Sequence, residues 1–188
     1  VATTWKIAEP SLPWLKEEGV AFPDDDCEYA NELLERIARR LAAEHGLDGL
    51  SGRSVGRDGR SSSSWERDAA LLTGDNLWNR VNSGAIFLRR RVVEGVGRFD
   101  ELLGLGSGRP SASGEEIDYV IRAVRSGARI AYDPELTVTH DAPRFDAAGL
   151  GALGYRDGAS VGYIIRKHGY PLRVRARMLV RPIGGTLL

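Results

Sequence analysis

A mixed α/β fold is predicted for this chain by three observations: short apolar runs bounded by turn residues, segments with one apolar helical face, and the alternation of the two along the sequence. The first strand is Val20-Ala-Phe22, which ends at Pro23 and delivers Asp24, Asp25 and Asp26 to a surface. Before it, a short helix is expected after Ser11, with Gly19 as its stop. The clearest helix covers 30–45, where Leu33, Leu34, Ile37, Ala38 and Leu41 share one face and Gly46 ends it. Over 50–64 the composition turns to Gly, Ser and Arg, which predicts a solvated surface loop or a mobile lid.

A strand is expected over 83–88, followed by the basic run Arg89-Arg90-Arg91, read as a solvated turn or a phosphate contact. A helix over 115–126 places Ile117, Val120, Ile121 and Val124 inward, and Gly127 stops it. Two short strands, 129–132 and 136–140, are predicted on either side of Asp133-Pro134. From Ala147 the tail reads as helical, with breaks at Gly169 and Pro171.

The totals exclude several classes. Length (188 residues) suits one domain with a real core, and 42% hydrophobic with 28% charged residues is ordinary for a globular protein. The 26 basic and 26 acidic residues cancel, so nothing draws the chain toward nucleic acid. No apolar run approaches the roughly 20 residues of a membrane span, and the start lacks a secretory signal. A lone cysteine, Cys27, rules out an internal disulfide and fits a reducing, cytoplasmic setting; it reads as a small buried hydrophobe.

Two acidic clusters could carry chemistry. Asp24 and Asp26 at a strand end can converge on a hard divalent cation, or the triplet can simply cap the following helix. Glu115 and Glu116 open a helix, and one of them could act as a general base. Ser113 and Glu116 also have capping-box spacing, which gives the same residues a purely structural purpose. Asp118 reads as a solvated or a helix-start residue. His140 could join a metal site or merely be hydrogen-bonded, whereas His45 and His168 suit helix ends. Asn82-Ser83-Gly84 suits close approach of a sugar ring or a tight turn, and Trp78 is a stacking platform or a core residue.

Taken in order, Val-Ala-Phe-Pro-Asp-Asp-Asp-Cys (20–27), Asn-Ser-Gly-Ala-Ile-Phe-Leu-Arg-Arg (82–90), Gly-Arg-Phe-Asp-Glu (97–101), Ser-Gly-Glu-Glu-Ile-Asp-Tyr (113–119) and Ala-Tyr-Asp-Pro-Glu-Leu-Thr-Val-Thr-His (131–140) resemble family 2 glycosyltransferases of the GT-A fold. The resemblance implies a Rossmann-like mixed sheet flanked by helices and inverting transfer from a nucleotide-sugar donor to a carbohydrate or lipid-linked acceptor. It implies that Asp24, Asp26 and His140 hold Mg2+ or Mn2+, with Asp24 and Asp25 at the donor diphosphate. Glu116 would be the base, with Glu115 its rival; Asn82, Ser83, Gly84 and Trp78 would serve the acceptor. Polysaccharide or glycolipid synthesis is the implied setting.

Only 23 residues precede Asp24, and they lack the nucleotide-binding strand of that family. The expectation is therefore a partial GT-A domain over 1–146, truncated at its start: a fragment, a protein completed by another chain or by a homodimer, or a non-catalytic carbohydrate- or partner-binding derivative. An unpaired sheet edge follows from the missing strands. Over 147–188 a basic helical extension is expected, with seven Arg or Lys against one Asp between Arg156 and Arg181. Such a segment can pack on the domain or lie peripherally on the inner face of a membrane.

Overall fold

The computed structural model describes residues 19–61, 64–141 and 146–184. The short helix expected after Ser11 lies outside the described residues. Strands β1 (Gly19–Ala21), β2 (Cys27–Glu28), β3 (Gly49–Val55), β4 (Ala70–Leu71), β5 (Ile86–Arg89) and β6 (Ile130–His140) form one sheet in the order β1-β5-β3-β6-β2, with β4 also on β6. β3 and β6 run parallel and the other pairs antiparallel. Helices are α1 (Asn31–Ala43), α2 (Arg90–Val96), α3 (Glu115–Arg125), α4 (Ala147–Lys167) and α5 (Leu172–Gly184). The predicted mixed α/β class is thus present, as a mixed sheet flanked by helices and compatible with a Rossmann-like arrangement. Among the described residues, no helix is long and apolar enough to cross a membrane.

The chain divides into two compact units, Val1–Arg98 with Tyr119–Pro143 and Phe99–Asp118 with Arg144–Leu188. The sheet belongs to the first. Its core forms because the apolar stripe of α1, Leu33, Ile37 and Leu41, buries against Leu50, Phe87, Leu136 and Val138 of the strands.

Three expectations change here. The Gly/Ser-rich stretch over 50–64 is not all loop, since its first half is the central strand β3. Small residues are there because neighbouring strands crowd them. A Cβ on Gly52 would lie 2.2 Å from the Leu136 carbonyl oxygen, and one on Gly49 2.7 Å from that of Phe87. Gly52→Ala is therefore expected to cost about 1–3 kcal/mol, because backbone has to move, and urea unfolding checks it.

Arg89 is not in a solvated turn. Only 6% exposed, it donates to the carbonyl oxygens of Leu47 (2.8 Å) and Leu41 (2.5 Å), the latter an otherwise orphan acceptor in the last turn of α1. The two strands predicted around Asp133-Pro134 are one, β6. The register with β3 slips between Ser51 and Arg53, and the resulting bulge absorbs the proline. Asp133 there accepts from Arg40 (2.7 Å) and Arg36 (3.3 Å) of α1, while the Pro134 carbonyl accepts from Arg53 (2.6 Å).

The second unit has α4 and α5, broken at 168–171 as the sequence predicts, with Gly169 at φ 61° allowing the turn. Asp146 caps α4 by accepting from the Gly149 amide (2.8 Å).

Candidate functional site

The first cluster is built by β1, β2 and the end of β6. β1 stops at Ala21, and residues 24–26 turn so that the Cys27 amide reaches the Asp24 carbonyl (3.3 Å) and the Asp25 amide the Asp24 carboxylate (3.2 Å). β2 then pairs Cys27 with His140, which brings the imidazole beside the turn: Nε2 lies 3.2 Å from Asp26 Oδ2. One carboxylate oxygen from each of Asp24, Asp25 and Asp26 lies within 4.8 Å of the others, and all three residues are exposed. The clustered carboxylate oxygens are donors of the kind Mg2+ or Mn2+ takes, with the imidazole beside them on Asp26.

The sequence reading missed Arg57. Its amide and guanidinium both bind Asp141 (2.9 and 2.7 Å), and the guanidinium also pairs with Glu28, at the opposite end of β2 from the aspartate turn. Only the fold joins these, since 84 residues separate Arg57 from Asp141.

Gly84 of the candidate acceptor segment is brought to the same strand. Its carbonyl accepts from the Tyr29 hydroxyl (2.5 Å), and a Cβ there would lie 2.8 Å from Cys27 Sγ. Asn82 precedes the turn Ser83–Ala85, and its Oδ1 is 3.5 Å from that Cβ position. Burial raises the Cys27 thiol, and the charges of Asp26 and Asp24 push the same way, so it stays protonated and inert. Burial likewise raises the Tyr29 hydroxyl, which remains a donor. Trp78 sits half-buried in the turn Leu77–Asn79.

The second cluster lies at the start of α3. The capping-box alternative is not what the structure uses: Ser113 faces α4. Its hydroxyl is 2.9 Å from both Asp157 Oδ1 and Ser160 Oγ, and its amide donates to Ser160 Oγ (3.2 Å). Burial pushes the Glu116 carboxyl up to about 7, and the charges of Glu115 and Asp157 add to it, against the amides of Glu116 and Ile117 that stabilise the anion. A carboxyl titrating near neutrality suits a general base. Glu115 packs on Gly104, and its buried Oε2 has no hydrogen-bond partner among the described residues.

Asp118 lies in the first turn of α3, as one of its two expected readings has it, but the other is corrected. Far from solvated, it is fully buried and binds Lys167 Nζ and His168 Nε2, both at 2.7 Å. Lys167 also reaches Asp100 (2.7 Å), which accepts from the Tyr163 hydroxyl (2.9 Å). Burial works against the Asp100 charge, but Lys167, the Leu102 amide and Tyr163 outweigh it and hold the carboxyl at about 2. His168, the C-cap of α4, therefore has a specific partner that its position at a helix end alone does not predict.

No family model matches the chain. Over 76 residues, 40% of its length, it is 34% identical to the pre-mycofactocin glycosyltransferase of Mycobacterium tuberculosis strain CDC 1551 / Oshkosh. The same identity and span hold for that of strain ATCC 25618 / H37Rv. The likeness is to a glycosyltransferase. It spans about 14% of the length of those curated relatives.

Proposed function

We propose that this chain carries the metal-binding and base residues of a glycosyltransferase, moving a sugar from a nucleoside-diphosphate donor to an acceptor hydroxyl with inversion. The observation that carries this is the convergence of Asp24, Asp25, Asp26 and His140 at the ends of β1 and β6, in a chain partly similar to a glycosyltransferase. Asp24, Asp26 and His140 would hold Mg2+ or Mn2+. A bound cation would supply positive charge against the diphosphate as it departs. Glu116 takes the acceptor hydroxyl proton; the oxygen forms the new bond to the anomeric carbon, and the bond to the diphosphate breaks. Asn82, Ser83, Gly84 and Trp78 orient the acceptor. Arg173, Arg175 and Arg177 of α5, all exposed, with Leu172 78% exposed beside them, support peripheral contact with an anionic membrane, in keeping with a lipid-linked acceptor.

Calorimetry of the full-length protein with Mn2+ and UDP-, GDP- or dTDP-sugars tests the donor side. Manganese-dependent binding of one of them is expected, and Asp26→Ala should abolish it. Binding undiminished in that variant removes the aspartate turn from the site. Absence of binding to every donor points instead to a non-catalytic carbohydrate-binding module.

A further inference from the structure

Four residues of α4, at 157, 160, 164 and 167, recur at helical spacing and so share one face. With His168 after them, they contact residues on both sides of Glu116. Asp157 and Ser160 bind Ser113, three residues before it. Ile164 closes on Gly114, where an added Cβ would meet its Cδ1 at 3.0 Å. Lys167 and His168 bind Asp118, two residues after it. The turn carrying Glu116 is thus held from α4 at three successive points. Gly114, at φ 78°, supplies the left-handed bend between the first point and the helix.

Within this grip Asp157 stands apart. Lys167 and His168 meet a counter-charge in Asp118, and Ser160 is neutral. Asp157 is an anion placed against the anionic end of α3, bound through Ser113 and paired with its neighbour Arg156 (3.1 Å). We propose that Asp157 is a positioning residue for Glu116, setting both the seat of its turn and the charge it faces. This rests on Glu116 being the base, but its test does not require turnover.

The charges acting on Glu116 in this unit are Glu115 on its own helix and Asp157 on α4, the latter paired with Arg156. Asp118, two residues on, is tied up with Lys167 and His168, and Lys167 with Asp100. Removing the Asp157 charge takes away one of the two anions that disfavour ionisation of Glu116.

The test is a 13C NMR titration of the Glu116 carboxyl in the full chain, in Asp157→Asn and in Ser160→Ala. Asn keeps an oxygen for Ser113 and loses only charge, so its midpoint should fall by about half a pH unit. That is about a threefold gain in the ionised-to-protonated ratio at fixed pH. Ser160→Ala loosens the same turn but keeps the charge, so its midpoint should fall by less than that of Asp157→Asn. Equal midpoints in wild type and Asp157→Asn, with both folded by circular dichroism, overturn the proposal. An equal fall in both variants overturns it as well, because loosening of the turn would then account for the whole effect. If the shift appears but Glu116→Gln still turns over, the assignment of Asp157 stands and that of the base falls.

Discussion

Glu116→Gln should lower turnover by roughly 10²–10⁴-fold while leaving nucleotide-sugar binding intact, the range expected for loss of a general base. Gln keeps the shape and the acceptor oxygen but cannot take a proton. Two pH signatures accompany the loss. Because Glu116 must be ionised to act, the wild-type rate should rise with pH through about 7, and this acid limb should vanish in the variant. Stability runs the other way. A carboxyl whose folded pKa is raised from 4.5 to about 7 binds more protons folded than unfolded across that window, so stability falls as pH rises through it. The cost of holding the anion above pH 7 is on the order of 3 kcal/mol. Glu116→Gln should therefore be more stable than wild type at pH 8 and no more stable at pH 4, by urea unfolding at both. Turnover near the wild-type rate in the Gln variant would leave Glu115 as the carboxylate to test.

The sequence disclosed elements wherever a period was present. α1 and α3 follow from apolar faces, β1 from a short apolar run stopped by proline, and the tail from its breaks at 168–171. It hid elements whose composition answers to neighbours. β3 contains Gly49 and Gly52 because β5 and β6 approach too closely for larger side chains, and that crowding leaves no local mark except smallness. Arg89 looked like one of three solvated arginines because its acceptors, Leu41 and Leu47, lie more than forty residues away. The aspartate turn was legible as a cluster, and the pairing of Cys27 with His140 places the imidazole 3.2 Å from Asp26. Arg57 and Asp157 were not legible, since each acts through partners supplied by the fold.

Asp118→Ala is expected to be the most damaging substitution in the second unit, costing about 3–5 kcal/mol, because it leaves Lys167 and His168 without the buried charge they share. Lys167 retains Asp100, so the larger part of the loss should fall on the His168 side of the network. Burial opposes the Lys167 charge, yet its hydrogen bonds to Asp100 and Asp118 hold its pKa above the ordinary value, so its contribution disappears only as strongly alkaline pH is reached. Asp100 fixes the acid side. Its folded pKa of about 2 lies below the ordinary 3.8, so its contribution is complete above that value and is lost as pH falls toward 2. Glu116 erodes stability from 4.5 upward, so the contributions of these two carboxyls slope in opposite senses with pH. Thermal unfolding across pH 2–9 reads the Asp100 and Glu116 contributions at once. Asp118→Ala should lower the whole curve, Asp100→Asn should flatten its acid flank, and Glu116→Gln should remove the decline toward neutrality. An Asp118→Ala curve that coincides with wild type would mean that Lys167 and His168 do not depend on this carboxylate, and that the grip of α4 on this turn rests on its contacts with Ser113 and Gly114.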